Sequence, residues 1–265
     1  MGYTSIEFSI SDGIAVIRLN RPSEGNALTR EMAQEILHAA TACDESKEVR
    51  VVILTGNGKM FCAGGDLKAF ASQGQDVGRY IKETTHALHG AISRFSWMNA
   101  PVIGAINGTA AGGGFSLSLA PDVALAAESA RFTMAYTKAG LSPDGSSTYF
   151  LARLVGLRRA KEMALLNPIL SAKQALDWGI VNQVLPEADL FPKAMELART
   201  IAQGSLEAFG ETKRMILSGV TESLESQMDV EARTIARIAG TRNGLEGVQA
   251  FIEKRPPRFS GNEGR

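Results

Sequence analysis

Two glycine-containing loops, each lying between a short apolar segment and a helical segment, constrain the fold of this 265-residue chain most strongly. The first loop, 61–67, follows the apolar run 50–55, and the second, 107–114, follows the apolar run 101–106. Short apolar runs of this kind are typical of strands buried on both faces of a parallel sheet. Another apolar run, 123–126, follows the second loop, so that units of strand, strand and helix recur. We therefore predict an α/β fold built as a stack of ββα turns.

Local patterns predict the elements around these loops. Alternating apolar and polar residues over 6–19, with Asp12-Gly13 in the middle, indicate a β-hairpin. Thr29 is a plausible N-cap of an amphipathic helix that runs to Cys43, and 81–97 is a second long helix. The segment 71–80 is rich in small and polar residues, which indicates a mobile loop beside the binding pocket.

The chain changes character at about residue 200, where glycine loops and strand patterns stop. The segments 205–217, 221–239 and 243–254 have helical periodicity, and we expect glycines at 219, 240 and 247 to break them. We therefore predict a core over residues 1–200 and a helical C-terminal region over 201–265.

The charge balance and the cysteines exclude several classes of function. Lys and Arg total 28 and Asp and Glu total 28, so the chain lacks the basic excess of a nucleic-acid-binding protein. The N-terminal residues do not resemble a secretion signal, and no apolar run approaches the roughly 18 residues of a membrane span. Cys43 and Cys62 have no metal-ligand spacing. We expect a cytoplasmic protein without a metal site, a nucleic-acid partner or a membrane partner.

Short motifs spread over nearly the whole chain resemble the crotonase (enoyl-CoA hydratase/isomerase) superfamily. Each motif is weak alone, but the set follows the order found in the family. The motifs are Asn20-Arg21-Pro22, Asn26-Ala27-Leu28, Phe61-Cys62-Ala63-Gly64-Gly65-Asp66-Leu67, Ala105-Ile106-Asn107-Gly108, Ala111-Gly112-Gly113-Gly114, the segment 172–181 and Phe251-Ile252-Glu253-Lys254-Arg255-Pro256.

The resemblance implies a fold, a ligand and a set of contacts. The fold is a spiral of ββα turns with a helical C-terminal region used for trimerisation, and two trimers often form a hexamer. The ligand is an acyl-CoA substrate, and no separate cofactor is required. The thioester oxygen of the substrate would lie between the backbone N–H groups of Gly65 and Gly113, which form an oxyanion hole. The implied CoA-binding residues are Ala27, Ala63, Asp66, Leu67, Phe251 and Lys254, the last two acting from an adjoining subunit, although Lys254 is equally typical of a solvated helix end.

Acidic residues distinguish the reactions of this superfamily. The positions where the hydratases carry two glutamates hold Ser116 and Tyr136 here, which disfavours hydration because neither residue can act as a carboxylate base. Asp144 matches the single catalytic acid of the family isomerases, including the ring-epoxide isomerases of phenylacetyl-CoA, although Pro143-Asp144-Gly145 is also a common turn signal. We predict an enoyl-CoA isomerase with Asp144 as acid and base.

Three alternatives remain open. The 4-chlorobenzoyl-CoA dehalogenases also have an aspartate at the position of Asp144, together with a histidine that matches His89. However, the tryptophan of those enzymes is replaced by Tyr136, and their aromatic residue beside Gly64 is replaced by Gly65. His89 and Tyr136 are therefore additional candidate catalytic residues. A hydratase and a non-enzymatic RNA-binding member of the superfamily are the less favoured alternatives.

Overall fold

The computed structural model describes residues 2–260. Within them the chain forms ten strands and ten helices. The strands are β1 Ile6–Ser11, β2 Ile14–Leu19, β3 Val51–Gly56, β4 Met60–Cys62, β5 Val102–Ile106, β6 Thr109–Ala111, β7 Val123–Ala127, β8 Arg131–Thr133, β9 Leu170–Ser171 and β10 Gln183–Leu185. The helices are α1 Arg30–Glu45, α2 Leu67–Ala71, α3 Val77–Trp97, α4 Gly113–Ser118, α5 Ser147–Leu166, α6 Ala172–Asp177, α7 Glu187–Ala202, α8 Leu206–Gly219, α9 Leu224–Ala239 and α10 Arg242–Ile252.

The strands form two sheets, and successive turns of the chain contribute to both. The larger sheet has the order β1-β2-β3-β5-β7-β10 and the smaller one the order β4-β6-β8-β9. The pairs β3/β4, β5/β6 and β7/β8 each place one strand in the larger sheet and the next strand in the smaller one. Neighbouring strands are parallel except at β1/β2 and β8/β9. This arrangement confirms the predicted spiral of ββα turns.

Local sequence signals account for the N-terminal elements. The strands β1 and β2 pair from Ile6–Leu19 to Ser11–Ile14 across the turn at Asp12-Gly13, as predicted. The Thr29 side chain accepts a hydrogen bond from the Met32 N–H group, which confirms it as the N-cap of α1. The buried face of α1 packs against α3, and both helices contribute to the main hydrophobic core.

Three local predictions differ from the structure. The segment 71–80 is mostly helical: α2 ends at Ala71, a 3-10 turn covers Gly74–Asp76, and α3 already begins at Val77. The Asp66 carboxylate caps α2 and so favours helix over loop. The strand β4, only three residues long, occupies the start of the predicted loop 61–67. The helix α10 continues through Gly247, which packs against the Phe259 ring.

The C-terminal helices rest on the core mainly through α8. The Lys213 ammonium group, largely buried, lies 2.7 Å from Asp122 Oδ2 and also donates to the carbonyl oxygens of Phe95 and Ala100. Burial lowers the pKa of Lys213, and the negative charge of Asp122 opposes that shift. The boundary at residue 200 stays a prediction. No helix within residues 2–260 has the length and hydropathy needed to cross a bilayer.

Candidate active site

The two glycine loops meet because side chains are missing at the point of contact. At Gly64, φ is 99°, and a Cβ atom would lie 2.8 Å from the Ala111 carbonyl oxygen. At Gly112, φ is 50° and ψ is −125°, a backbone conformation that residues with side chains rarely adopt. Parallel pairing of β4 with β6 holds the two loops side by side. Glycine is therefore required both for the conformation and for the close approach of the loops.

The Gly65 and Gly113 N–H groups, which the family resemblance implies as oxyanion donors, border the same small space. The Leu28 N–H donates to the Gly64 carbonyl, and the Asp66 N–H donates to the Leu28 carbonyl. Since peptide groups alternate in direction along an extended chain, the Gly65 N–H points away from Leu28. Gly113 is the first residue of α4, where N–H groups have no acceptor within the helix. A Cβ atom on Gly113 would lie 3.9 Å from the Gly65 nitrogen, so both donors border one small space.

A cavity of about 350 Å³ opens in front of these donors. Its wall is largely apolar, with Leu28, Phe70 and Leu88 among the lining side chains. Of the lining residues in the described part of the chain, Asp144 alone carries a carboxylate. Tyr136 lies between this carboxylate and the oxyanion donors, because a Cβ atom on Gly113 would be 3.9 Å from the Tyr136 hydroxyl. The cavity therefore combines two donors with a single acid.

The Asp144 carboxylate is held by a chain of hydroxyl groups. The Tyr136 hydroxyl donates to Asp144 Oδ1 at 2.6 Å, and the Ser116 Oγ lies 2.7 Å from the same hydroxyl. Burial raises the pKa of Tyr136, and the nearby negative charge of Asp144 raises it further. Tyr136 therefore stays protonated at neutral pH and acts as the donor. The second carboxylate oxygen, Oδ2, remains available for chemistry.

The backbone of Asp144 is also fixed. Its carbonyl oxygen accepts a hydrogen bond from the Ser147 hydroxyl at 2.9 Å, and the Ser116 Oγ lies 2.8 Å from it. The single Ser116 proton is donated either to this carbonyl or to the Tyr136 hydroxyl oxygen. The next residue, Gly145, has a φ of 60° and donates its N–H to His89 Nε2 at 3.0 Å. His89 Nε2 is also 3.8 Å from Asp144 Oδ2. The structure thus brings together all five predicted catalytic residues, Gly65, Gly113, Tyr136, Asp144 and His89, and it adds Ser116 and Ser147 as supporting residues.

No sequence pattern predicts a role for these two serines. Ser116 stands where the hydratases have a glutamate, and here its hydroxyl contacts both Tyr136 and Asp144. Ser147 lies three residues beyond Asp144, a spacing at which a side chain can bond back to the backbone of a turn. That spacing is the only local signal that could have identified it.

The predicted CoA-binding residues fall into two groups. Ala63 and Leu67 line the mouth of the cavity. The Asp66 carboxylate caps α2 and pairs with Arg21 at 3.1 Å, while Arg21 also donates to the Ala27 carbonyl. Burial acts to raise the pKa of Asp66, but hydrogen bonds from the Ala69 and Lys68 N–H groups and from Arg21 hold it below its usual value. These polar groups of Ala27 and Asp66 are engaged within the subunit.

Phe251 and Lys254 lie at the far end of the C-terminal region. Phe251, in the last turn of α10, is 87% exposed, and Lys254 follows the helix with a φ of 53°. Neither residue lines the cavity of its own subunit. Their predicted contact with CoA requires an adjoining subunit and stays a prediction.

Comparison with known proteins places this site in a family. The family model described as enoyl-CoA hydratase/isomerase matches residues 9–262. A probable enoyl-CoA hydratase of Rhodobacter capsulatus is 39% identical over 264 residues, covering 98% of this chain and 100% of the relative. The 1,2-epoxyphenylacetyl-CoA isomerase of Escherichia coli is 37% identical over 95% of this chain and 97% of its own length.

Two further similarities agree with this placement. A 4-chlorobenzoyl coenzyme A dehalogenase of an Arthrobacter species is 34% identical over 92% of this chain and 89% of its own length. The crystal structure of an enoyl-CoA hydratase from Bacillus anthracis superposes with a TM-score of 0.91 at 35% identity, covering 98% of this chain and 100% of that one. The chain therefore belongs to the enoyl-CoA hydratase/isomerase family, the crotonase superfamily.

Proposed function

We propose that this acyl-CoA enzyme shifts the double bond of an enoyl-CoA, with Asp144 acting first as base and then as acid. The observation that carries the proposal is the single carboxylate among the described residues lining the cavity. Hydration requires one group to activate water and another to deliver a proton, whereas isomerisation moves one proton between two carbons of the same substrate. One carboxylate is sufficient for the second reaction.

The proposed reaction has two proton transfers. Asp144 Oδ2 removes a proton from C2 of a 3-enoyl-CoA, and the electron pair of that C–H bond moves toward the thioester carbonyl. The Gly65 and Gly113 N–H groups stabilise the negative charge that develops on the thioester oxygen. The protonated Asp144 then delivers the proton to C4, and the double bond comes to rest between C2 and C3. No proton is gained or lost overall.

Tyr136 and Ser116 support this reaction by orienting the carboxylate. The hydrogen bond from Tyr136 occupies Oδ1 and leaves Oδ2 as the reacting oxygen. The Ser116 Oγ lies within hydrogen-bond distance of both the Tyr136 hydroxyl and the Asp144 carbonyl, and its proton can bond to either, which restricts the movement of the acid. The apolar wall formed by Leu28, Phe70 and Leu88 disfavours bound water, which would otherwise add to the conjugated product.

Oligomerisation is a further part of the proposal. The helices α9 and α10 expose large apolar side chains, among them Leu224, Ile235, Leu245 and Phe251, each more than half exposed. Exposed apolar surface of this extent is typical of protein–protein interfaces. A trimer or hexamer would cover it and would bring Phe251 and Lys254 to a neighbouring CoA site. Light scattering coupled to size exclusion tests this directly, and a monomer at micromolar concentration would contradict it.

A second candidate function is displacement at an aryl-CoA ring. Asp144 Oδ2 would attack the ring carbon that bears the leaving group, and His89, 3.8 Å away, would activate water to cleave the aryl ester. This proximity and the similarity to the Arthrobacter dehalogenase favour the candidate. Release of chloride from 4-chlorobenzoyl-CoA would support it, and its absence would remove it.

The proposed isomerisation is tested by the absorbance of the conjugated product formed from a 3-enoyl-CoA. We expect turnover by the parent protein and a loss of about two orders of magnitude or more in Asp144→Asn, which cannot remove the C2 proton. Asp12→Asn, a change of the same kind in the exposed turn of the N-terminal hairpin, is the matched control and should keep full activity. Equal activity of Asp144→Asn and the parent protein would exclude Asp144 as the base.

A further inference from the structure

A second groove lies directly behind the Asp144 carboxylate. It has a volume of about 450 Å³. Its lining combines His89, Gly145 and the hydroxyl groups of Ser93, Ser96 and Ser146 with large apolar side chains, Phe150 among them. The substrate cavity and this groove lie on consecutive turns of α3: Leu88 lines the cavity, and His89 begins the groove. The groove therefore continues along the helix that forms one wall of the active site.

The His89 ring separates the groove from the reacting carboxylate. Its Nε2 atom is 3.8 Å from Asp144 Oδ2, and its side chain is 52% exposed, whereas that of Asp144 is 27% exposed. The ring borders the groove, and the carboxylate borders the cavity. When an acyl group fills the cavity, only the His89 side chain lies between the Asp144 carboxylate and the groove.

The hydrogen bonding of His89 determines the starting state of the ring. Since Nε2 accepts the Gly145 N–H, the neutral ring carries its proton on Nδ1. A lone pair is therefore directed at the Asp144–Gly145 segment. The serine hydroxyl groups of the groove can hydrogen-bond water beside the ring.

We infer that His89 and this groove form the path by which the proton held by Asp144 during the reaction exchanges with solvent. The inference rests on the proposed function, because it requires Asp144 to hold a proton taken from the substrate. In the exchange step the Asp144 O–H bond breaks and an Nε2–H bond forms, which replaces the hydrogen bond from Gly145. The Nε2–H bond then breaks to a water molecule that reaches the half-exposed ring from the groove, and a solvent proton bonds to Nε2 in its place. Transfer of that solvent proton from Nε2 to the Asp144 carboxylate completes the exchange, so that charge and protons balance.

This path competes with the return of the proton to C4. The residue His89 acts through Asp144 and does not contact the substrate. His89 therefore influences whether the proton found in the product comes from the substrate or from solvent, while the rate of isomerisation depends on Asp144. A side chain with a purely structural role would not change the isotope content per turnover.

The test is isomerisation of a 3-enoyl-CoA in D₂O, with mass spectrometry of deuterium at C4 at low conversion. We expect clear deuterium incorporation with the parent protein and about a tenfold or larger fall per turnover in His89→Gln. Glutamine can still accept the Gly145 N–H but cannot take up a proton near neutral pH. His86→Gln changes the other histidine of the same helix, outside both lining sets, and should match the parent protein. Unchanged deuterium content in His89→Gln would overturn the inference.

A second measurement separates this inference from the proposed function. Exchange of the C2 protons of butanoyl-CoA in D₂O requires removal and return of a proton by Asp144 but no movement of a double bond. If exchange of the C2 protons depends on His89 but no 3-enoyl-CoA is isomerised, the inference holds and the proposed isomerase activity is refuted. Exchange of equal rate in His89→Gln would refute the inference alone. No exchange with the parent protein would refute both.

Discussion

Gly113→Ala should remove activity and leave the fold intact, because of where the added methyl group would lie. A Cβ atom on Gly113 would meet Leu28 Cδ1 at 3.0 Å, and this atom is the end of a flexible side chain that can move by a few tenths of an ångström. The same carbon would lie 3.9 Å from the Gly65 nitrogen. An oxyanion bound by that nitrogen needs the space at about 2.7–3.1 Å from it. The methyl group therefore crowds the position of the thioester oxygen.

The magnitudes follow from these distances. Loss of one oxyanion donor costs about 10²–10³ in kcat, or roughly 3–4 kcal/mol of transition-state stabilisation. The free energy of unfolding should change by less than about 1 kcal/mol, because the gain from replacing a helical glycine by alanine offsets the displacement of Leu28. Steady-state kinetics with a 3-enoyl-CoA and urea unfolding measure the two quantities on the same preparation.

The neighbouring glycine supplies the matched control. A Cβ atom on Gly114 would lie 2.2 Å from the Cys62 carbonyl oxygen, which is backbone and cannot move without shifting β4. Gly114→Ala should therefore destabilise the fold, whereas Gly113→Ala should not. Activity of Gly113→Ala within about threefold of the parent protein would refute the placement of the oxyanion, since a lost donor costs far more than that.

Two further predictions concern stability. Asp122→Asn leaves the Lys213 ammonium group, whose side chain is 9% exposed, without its anionic partner and should lower the free energy of unfolding by about 3 kcal/mol, because an unpaired buried charge is costly. Glu196→Gln, which removes the exposed ion pair with Lys193, should change it by less than about 0.5 kcal/mol. Urea unfolding measures both, and equal effects would contradict the role of the Lys213–Asp122 pair. The folded-state pKa of Tyr136 lies above its ordinary value of 10.0 because of burial and the charge of Asp144, so its contribution to stability is present below pH 10 and is lost as the pH rises through the folded-state pKa. Urea unfolding on both sides of pH 10 should therefore show a smaller alkaline loss in Tyr136→Phe than in the parent protein, and an identical loss would contradict the assignment.

Local sequence signals predicted the elements whose cause is local. The hairpin turn at Asp12-Gly13, the Thr29 cap and the periodicity of α3 each involve residues within a few positions of one another. The loop prediction for the segment 71–80 was wrong for the opposite reason. Its composition indicated a loop, but the Asp66 cap on one side and packing of α3 against α1 on the other make most of it helical.

Individual residues of the candidate site were predicted, but their arrangement was not. Gly65, Gly113 and Asp144 were identified through the family resemblance, which gave residues without their mutual geometry. Ser116 lies 20 residues before Tyr136 and 28 residues before Asp144 in the sequence, and no periodicity relates these positions. The groove behind His89 depends on how α3 meets the start of α5, which is a property of tertiary packing.

The proposed isomerase activity rests on the single carboxylate among the described residues that line the cavity. The most direct measurement is to supply a 3-enoyl-CoA and a 2-enoyl-CoA of the same chain length in separate reactions and to follow both products by mass spectrometry. We expect the 3-enoyl-CoA to be converted to the 2-enoyl-CoA at unchanged mass, with no appreciable addition of water to either compound. Rapid conversion of the 2-enoyl-CoA into a product heavier by one water would contradict it.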